Sequence, residues 1–216
     1  MVDSFRTIVN PSQLPICIGY NTPTLMVGSC FAENIGEKMR GVKLPVHVNP
    51  FGVVYNPYSA ALVLERILEG KVYAESDLFF HNNLWLSLDH HTSFSREDKT
   101  ECLENINTTL DKSQEFWQRT EVLVVTFGTA RVYHYKETGK TVANCHRIPA
   151  RDFTHSLLSV DEIVERWKLL LKQVFNAKPN LKVLFTLSPV RHWKDGATGN
   201  QISKSTLFLA LNQLIR

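Results

Sequence analysis

Apolar residues recur along this chain in two alternating periods. The run Thr24-Leu25-Met26-Val27 has a β-branched residue at each end, and after Gly28-Ser29 the positions Ala32, Ile35 and Met39 repeat at helical spacing. The pattern predicts a buried strand, a tight turn, and a helix closed near Gly41. Residues 44–49 read as a second buried strand, and Leu62, Leu64, Ile67 and Leu68 as one face of a helix that Gly70 ends. Leu103, Ile106, Leu110 and Trp117 mark a helix within 98–118. It leads into Glu121-Val122-Leu123-Val124-Val125-Thr126-Phe127, the most strand-like run and the expected centre of a parallel sheet. Ser159-Val160-Asp161-Glu162 has capping-box spacing, and Ile163, Trp167, Leu170, Leu171 and Val174 form the apolar face of the helix it opens. A last strand is expected over 181–187, a loop over 188–196, and a final helix from about Ser203 carrying Leu207, Leu211 and Leu214.

Some stretches break the alternation. Residues 71–96 are rich in aromatics and histidines, with partial period two at Leu84-Trp85-Leu86-Ser87-Leu88, and read as an insertion over the carboxyl edge of the sheet. Residues 132–135 and 141–144, separated by Glu137-Thr138-Gly139-Lys140, read as a β-hairpin standing on that edge. Residues 1–23 hold Pro11, Pro15 and Pro23 without periodicity and are expected to form an extended arm. The sum is an α/β fold, an open parallel sheet with helices on both faces, in a single domain over 1–216. No cap, glycine or proline stops the last helix before Arg216, so further polypeptide is expected after it.

Composition narrows the partners. The hydrophobic fraction is 44%, and the formal charge of +3 is spread without a Lys/Arg block, so no nucleic-acid partner is expected. Cys17, Cys30, Cys102 and Cys145 lie far apart with no CxxC pair and read as reduced thiols. The opening Met1-Val2-Asp3-Ser4-Phe5-Arg6 lacks the pattern of a secretory signal, and no apolar run is long enough to span a bilayer. A cytoplasmic protein without a membrane partner and without a cofactor is expected.

Candidate chemistry concentrates at strand ends. Ser29 would carry its hydroxyl at the carboxyl edge beside the N–H groups and positive end of a helix, which suits a nucleophile whose attack creates an oxyanion. The alternative is a helix N-cap. His192 follows the last strand on the same edge, with Asp195 in the same loop, and is the best internal candidate for a base. His91 and His146 are candidates for lining the cavity, whereas His47, His81 and His134 read as surface or structural. A zinc site of His91, Cys145, His146 and His192 has no ligand spacing behind it beyond one adjacent pair, so no metal is expected. Cys30 is disfavoured as a thiol nucleophile because adjacency to Ser29 turns the two side chains in different directions. Arg131 and Arg191 are candidates for holding an anionic group.

Gly28-Ser29-Cys30-Phe31-Ala32 resembles the pentapeptide for which the bacterial GSCFA family is named. Asn49-Pro50-Phe51-Gly52, His90-His91 with Phe94-Ser95, Thr126-Phe127-Gly128-Thr129-Ala130, Asn144-Cys145-His146 and Ser188-Pro189-Val190-Arg191-His192 resemble its recurrent segments in order. The resemblance groups the chain with SGNH/GDSL-type hydrolases, which implies a flavodoxin-like fold and a serine-dependent ester hydrolase or acyltransferase acting on a small-molecule or carbohydrate ester. It implies Ser29 as nucleophile and an oxyanion hole of the Ser29 and Gly52 N–H groups. The third block of such enzymes is matched only as Gly128-Thr129-Ala130-Arg131, with alanine where an asparagine donor stands. Gly128, Thr129, His91, His146 and Arg191 are then binding candidates. The closing Asp-x-x-His occurs only as Asp152-Phe153-Thr154-His155, ahead of the Ser159 helix, so that pair is expected beyond residue 216. Ala130 and the missing pair favour the alternative, a non-catalytic carbohydrate- or acyl-ligand-binding module that keeps the cleft. Nothing in the sequence indicates an oligomeric state.

Overall fold

A computed structural model of the chain describes residues 14–215. The first unit is β1 (Thr24–Gly28), α1 (Cys30–Gly41) and β2 (Val46–Val48). Two glycines make it possible. Gly28 has φ +147°, and an added Cβ would strike the backbone of Thr126 on the neighbouring strand. At Gly36 a Cβ would run into the Val48 side chain, so α1 lies close against β2. The chain continues through α2 (Pro57–Glu69), a two-stranded hairpin β3 (Phe79–His81) and β4 (Leu84–Leu86), and α3 (Lys99–Arg119). There follow β5 (Val122–Phe127), β6 (Arg131–Tyr135), β7 (Thr141–Val142), β8 (Phe153–Leu157), α4 (Val160–Ala177), β9 (Lys182–Leu187) and α5 (Gly196–Leu214).

The main sheet is parallel, in the order β2-β1-β5-β9, with β5 in the interior and buried at all six of its residues. This is the start of the doubly wound order, whose direction of winding reverses between β1 and β5. One face packs Met26, Val122 and Val124 against Ala32, Ile35 and Met39 of α1, with Ile16 and Ile18 beside them. The other face sets Leu25, Val27, Leu123, Val125 and Phe127 under α2, α3, α4 and α5. Trp167 of α4 is fully buried there, edge-on to Phe127 and Phe185, and its indole N–H donates to Pro57 O at 3.1 Å. Helices therefore cover both faces.

Several expectations are amended. The hairpin on the sheet edge is the core of a three-stranded antiparallel sheet, β7-β6-β8, whose third strand the apolar pattern missed. α5 begins at Gly196, ahead of the expected start near Ser203. The aromatic insertion is tied to the sheet edge, since Leu88 O accepts from the Ala143 and Asn144 N–H groups and His91 N–H donates to Phe51 O. Of the arm expected over 1–23, residues 1–13 lie outside the described residues. Among the described residues, no helix is long and apolar enough to cross a membrane.

Candidate functional site

The turns after β1, β5 and β9 surround a cavity of about 510 Å³ at the carboxyl edge of the sheet. In open α/β sheets this edge, at the reversal of strand order, is where ligands bind. Ser29 lines the cavity although only 1% of the residue is exposed. It caps α1, with Oγ accepting from Phe31 N–H at 3.4 Å and its own N–H donating to Thr126 O at 3.2 Å. Asn49, in the left-handed region at φ 44°, fixes this turn from behind. Its Oδ1 accepts from Gly28 N–H at 2.8 Å, its Nδ2 donates to Glu33 Oε2 at 2.7 Å, and its N–H donates to Met26 O at 2.8 Å. One side chain thus ties the end of β1, the loop after β2 and the first turn of α1 together.

In that loop the N–H group expected to join the oxyanion hole is already engaged. Gly52 N–H donates to Asn49 O at 2.8 Å, and Gly52 faces His91, whose Cβ would collide with any side chain there. With Ser29 N–H also engaged, both expected donors are already used, and Gly52 stays outside the cavity. Asn56 stands in the cavity instead. It is the N-cap of α2, its Oδ1 accepting from Ser59 N–H at 2.8 Å, which fixes the orientation of the amide. Asn56 is 6% exposed, and its Nδ2 has no hydrogen-bond partner among the described residues. An Asn-Pro pair ahead of an apolar helical period is a helix-start signal that the sequence reading did not use, and nothing in its spacing points to Ser29.

Gly128 and Thr129 close another wall. Their N–H groups converge on Tyr55 O at 2.7 and 3.0 Å, joining the loop after β2 to the turn after β5. Ala130, fully buried, gives its N–H to Ser203 Oγ at 2.8 Å. Lys204, 8% exposed, reaches Gly128 O at 2.6 Å and Ser188 O at 2.5 Å, and so pins the turns after β5 and β9. Burial lowers the Lys204 pKa.

His192 lines the same cavity, its ring edge-on to Tyr55 at 6.2 Å and its N–H donating to Asn200 Oδ1 at 2.9 Å. Burial holds the His192 pKa below the usual imidazole value, the charge of Lys204 pushes it the same way, and Asp195 opposes both. The imidazole is therefore mostly neutral at neutral pH. Asp195 lies beside Arg131, Oδ2 to Nε at 3.3 Å, and makes no side-chain hydrogen bond to His192 among the described residues.

The remaining candidates lie elsewhere. His146, at φ 47°, turns away from the cavity that Asn144 and Cys145 line; its Nε2 donates to Ser87 O at 2.7 Å, and burial lowers its pKa. His91 caps the short turn 92–94. Both brace the insertion. Arg191 sits over the Trp193 ring at 5.6 Å, outside the cavity wall. His155 is on β8, against Tyr133, with Asp152 in the turn before it, and neither lines the Ser29 cavity. Among the described residues no group of three or more His, Cys, Asp or Glu side chains is arranged to hold a metal ion.

No curated protein and no solved structure matches the chain. The sequence model of the GSCFA family matches residues 23–216, and the chain belongs to that family.

Proposed function

We propose that this cavity carries out serine-dependent acyl transfer on an ester, as an SGNH-type hydrolase or acyltransferase. One observation carries the reading: a single cavity gathers a serine hydroxyl at a helix N-terminus, a neutral imidazole and an amide donor with no partner of its own. Ser29 Oγ attacks the ester carbonyl carbon as His192 takes its proton. The carbonyl oxygen becomes an oxyanion that accepts from Asn56 Nδ2 at the positive end of α1, in the role for which Ala130 has no side chain. Collapse expels the alcohol, which receives the proton from His192 and leaves the acyl group on Ser29. Water or a second alcohol then attacks that ester with His192 again as base, and Ser29 Oγ regains its proton as the product departs. The negative charge of Asp195 supports the transient imidazolium through space.

The test is a serine-directed fluorophosphonate probe together with a p-nitrophenyl ester. The expected result is one covalent adduct on Ser29 and hydrolysis that Ser29→Ala reduces by roughly a thousandfold or more. Absence of both an adduct and a Ser29-dependent hydrolysis overturns the enzyme reading. It would favour the non-catalytic module, for which the engaged N–H groups of Ser29 and Gly52 already speak.

A further inference from the structure

Away from Ser29, the aromatic insertion and the β6–β7 turn enclose another cavity, of about 570 Å³, against α2. It shares no lining residue with the Ser29 cavity, and its size is that of a small-molecule site. Part of its wall is apolar: Leu62, Leu78 and Leu88 stand with a stacked pair, Phe79 and Tyr135, whose ring centroids are 6.0 Å apart.

Two opposite charges in the same wall, Arg66 and Asp89, lack an ion partner among the described residues. Tyr73, itself buried, holds them both. The Arg66 guanidinium lies over the Tyr73 ring, 4.3 Å from its centroid, and the Tyr73 hydroxyl donates to Asp89 Oδ2 at 3.3 Å. Arg66 makes one long hydrogen bond, Nη1 to Lys71 O at 3.4 Å, which leaves Nε and Nη2 without an acceptor, and Asp89 Oδ1 accepts nothing. None of these three atoms is sealed off from solvent. Burial raises the Asp89 pKa and the Arg66 charge opposes it, so a cation placed beside the carboxylate would do what Arg66 does only from a distance. The other charges are engaged or peripheral. Asp77 Oδ2 accepts from Ala74 N–H at 2.9 Å, Glu137 Oε2 accepts from the Tyr135 hydroxyl at 2.8 Å, and Lys140 is exposed. A simple cation would meet Arg66 and a simple anion would meet Asp89, whereas a ligand carrying both charges finds a partner for each.

We infer that this cavity binds a free α-amino acid with an apolar side chain, its ammonium on Asp89, its carboxylate on Arg66 and its side chain against the leucines and the Phe79–Tyr135 pair. The site is independent of the proposed function, so Ser29→Ala protein should bind as the wild type does. The test is calorimetric titration of the full chain with leucine and phenylalanine, beside the compounds that lack one charge: isopentylamine and phenethylamine, isocaproate and hydrocinnamate. At least one amino acid is expected to bind with Kd below about 1 mM, and its amine and its acid each to bind about tenfold more weakly or worse. Asp89→Asn, which keeps an acceptor for the Tyr73 hydroxyl, and Arg66→Gln should each weaken the amino acid by about tenfold as well. Because both variants touch Tyr73, the comparison of charged forms is made on the unaltered protein and stands whether or not they fold. Failure of both amino acids to bind at millimolar concentration overturns the proposal. So does an amine or an acid that binds as tightly as its amino acid, and so does binding that both variants leave unchanged.

Discussion

α4 and α5 pack against one another, yet α4 and the first half of α5 bury opposite kinds of side chain. α4 buries Ile163, Val164, Trp167, Leu170 and Val174. α5 buries Asn200, Ser203 and Lys204 before its first buried apolar residue, Leu207. Each polar group has a partner at the sheet edge: Asn200 takes His192 N–H, Ser203 takes Ala130 N–H, and Lys204 donates to Gly128 O and Ser188 O. Burying a polar group is costly unless it is hydrogen-bonded. A polar inward face is thus tolerated where it positions loops, and here the loops are the walls of the Ser29 cavity. One helix fills the core and the other holds the site.

The contrast is open to direct attack. Trp167→Ala empties the centre of the core and is expected to cost about 3–5 kcal/mol in urea unfolding, the largest effect on stability. Asn56→Asp keeps a capping oxygen for Ser59 N–H but replaces the amide donor of the Ser29 cavity, so the melting temperature should hardly move while kcat for ester hydrolysis falls roughly a hundredfold to a thousandfold. Lys204→Met leaves two buried carbonyls without their donor and is expected to cost about 1–3 kcal/mol in the same urea experiment. It also removes a positive charge that depresses the His192 pKa, so the acid limb of the pH–rate profile should move to higher pH. If Trp167→Ala and Lys204→Met had the same balance of stability loss and rate loss, the division of labour would be wrong.

The same contrast explains what was legible in the sequence. α4 announces itself through an apolar stripe and a capping box, and Ser159 and Glu162 make both reciprocal bonds, at 2.7 and 3.2 Å. β1 and β5 are apolar runs that became neighbouring buried strands, and Ser29 falls at the turn where the pattern set it. β8 was missed because only Phe153 is buried, with Thr154, His155 and Ser156 facing outward, so no apolar period marks it. The start of α5 was missed because its inward residues are polar. Asn56 stands before a proline as a helix cap does, which says nothing of its free amide, and the close approach of Gly52 to His91 was not legible because it joins loops far apart in the chain.

The pH dependence of fluorophosphonate labelling at Ser29 tests the central claim most directly. Neutral His192 is the species that accepts the proton, and its pKa is held below the usual 6.5. The labelling rate should therefore be flat through neutral pH and fall only as the pH drops through that lowered pKa, with Asp195→Asn moving the fall to still lower pH. A rate that ignores pH and His192→Ala, or no label on Ser29 at all, would contradict the account.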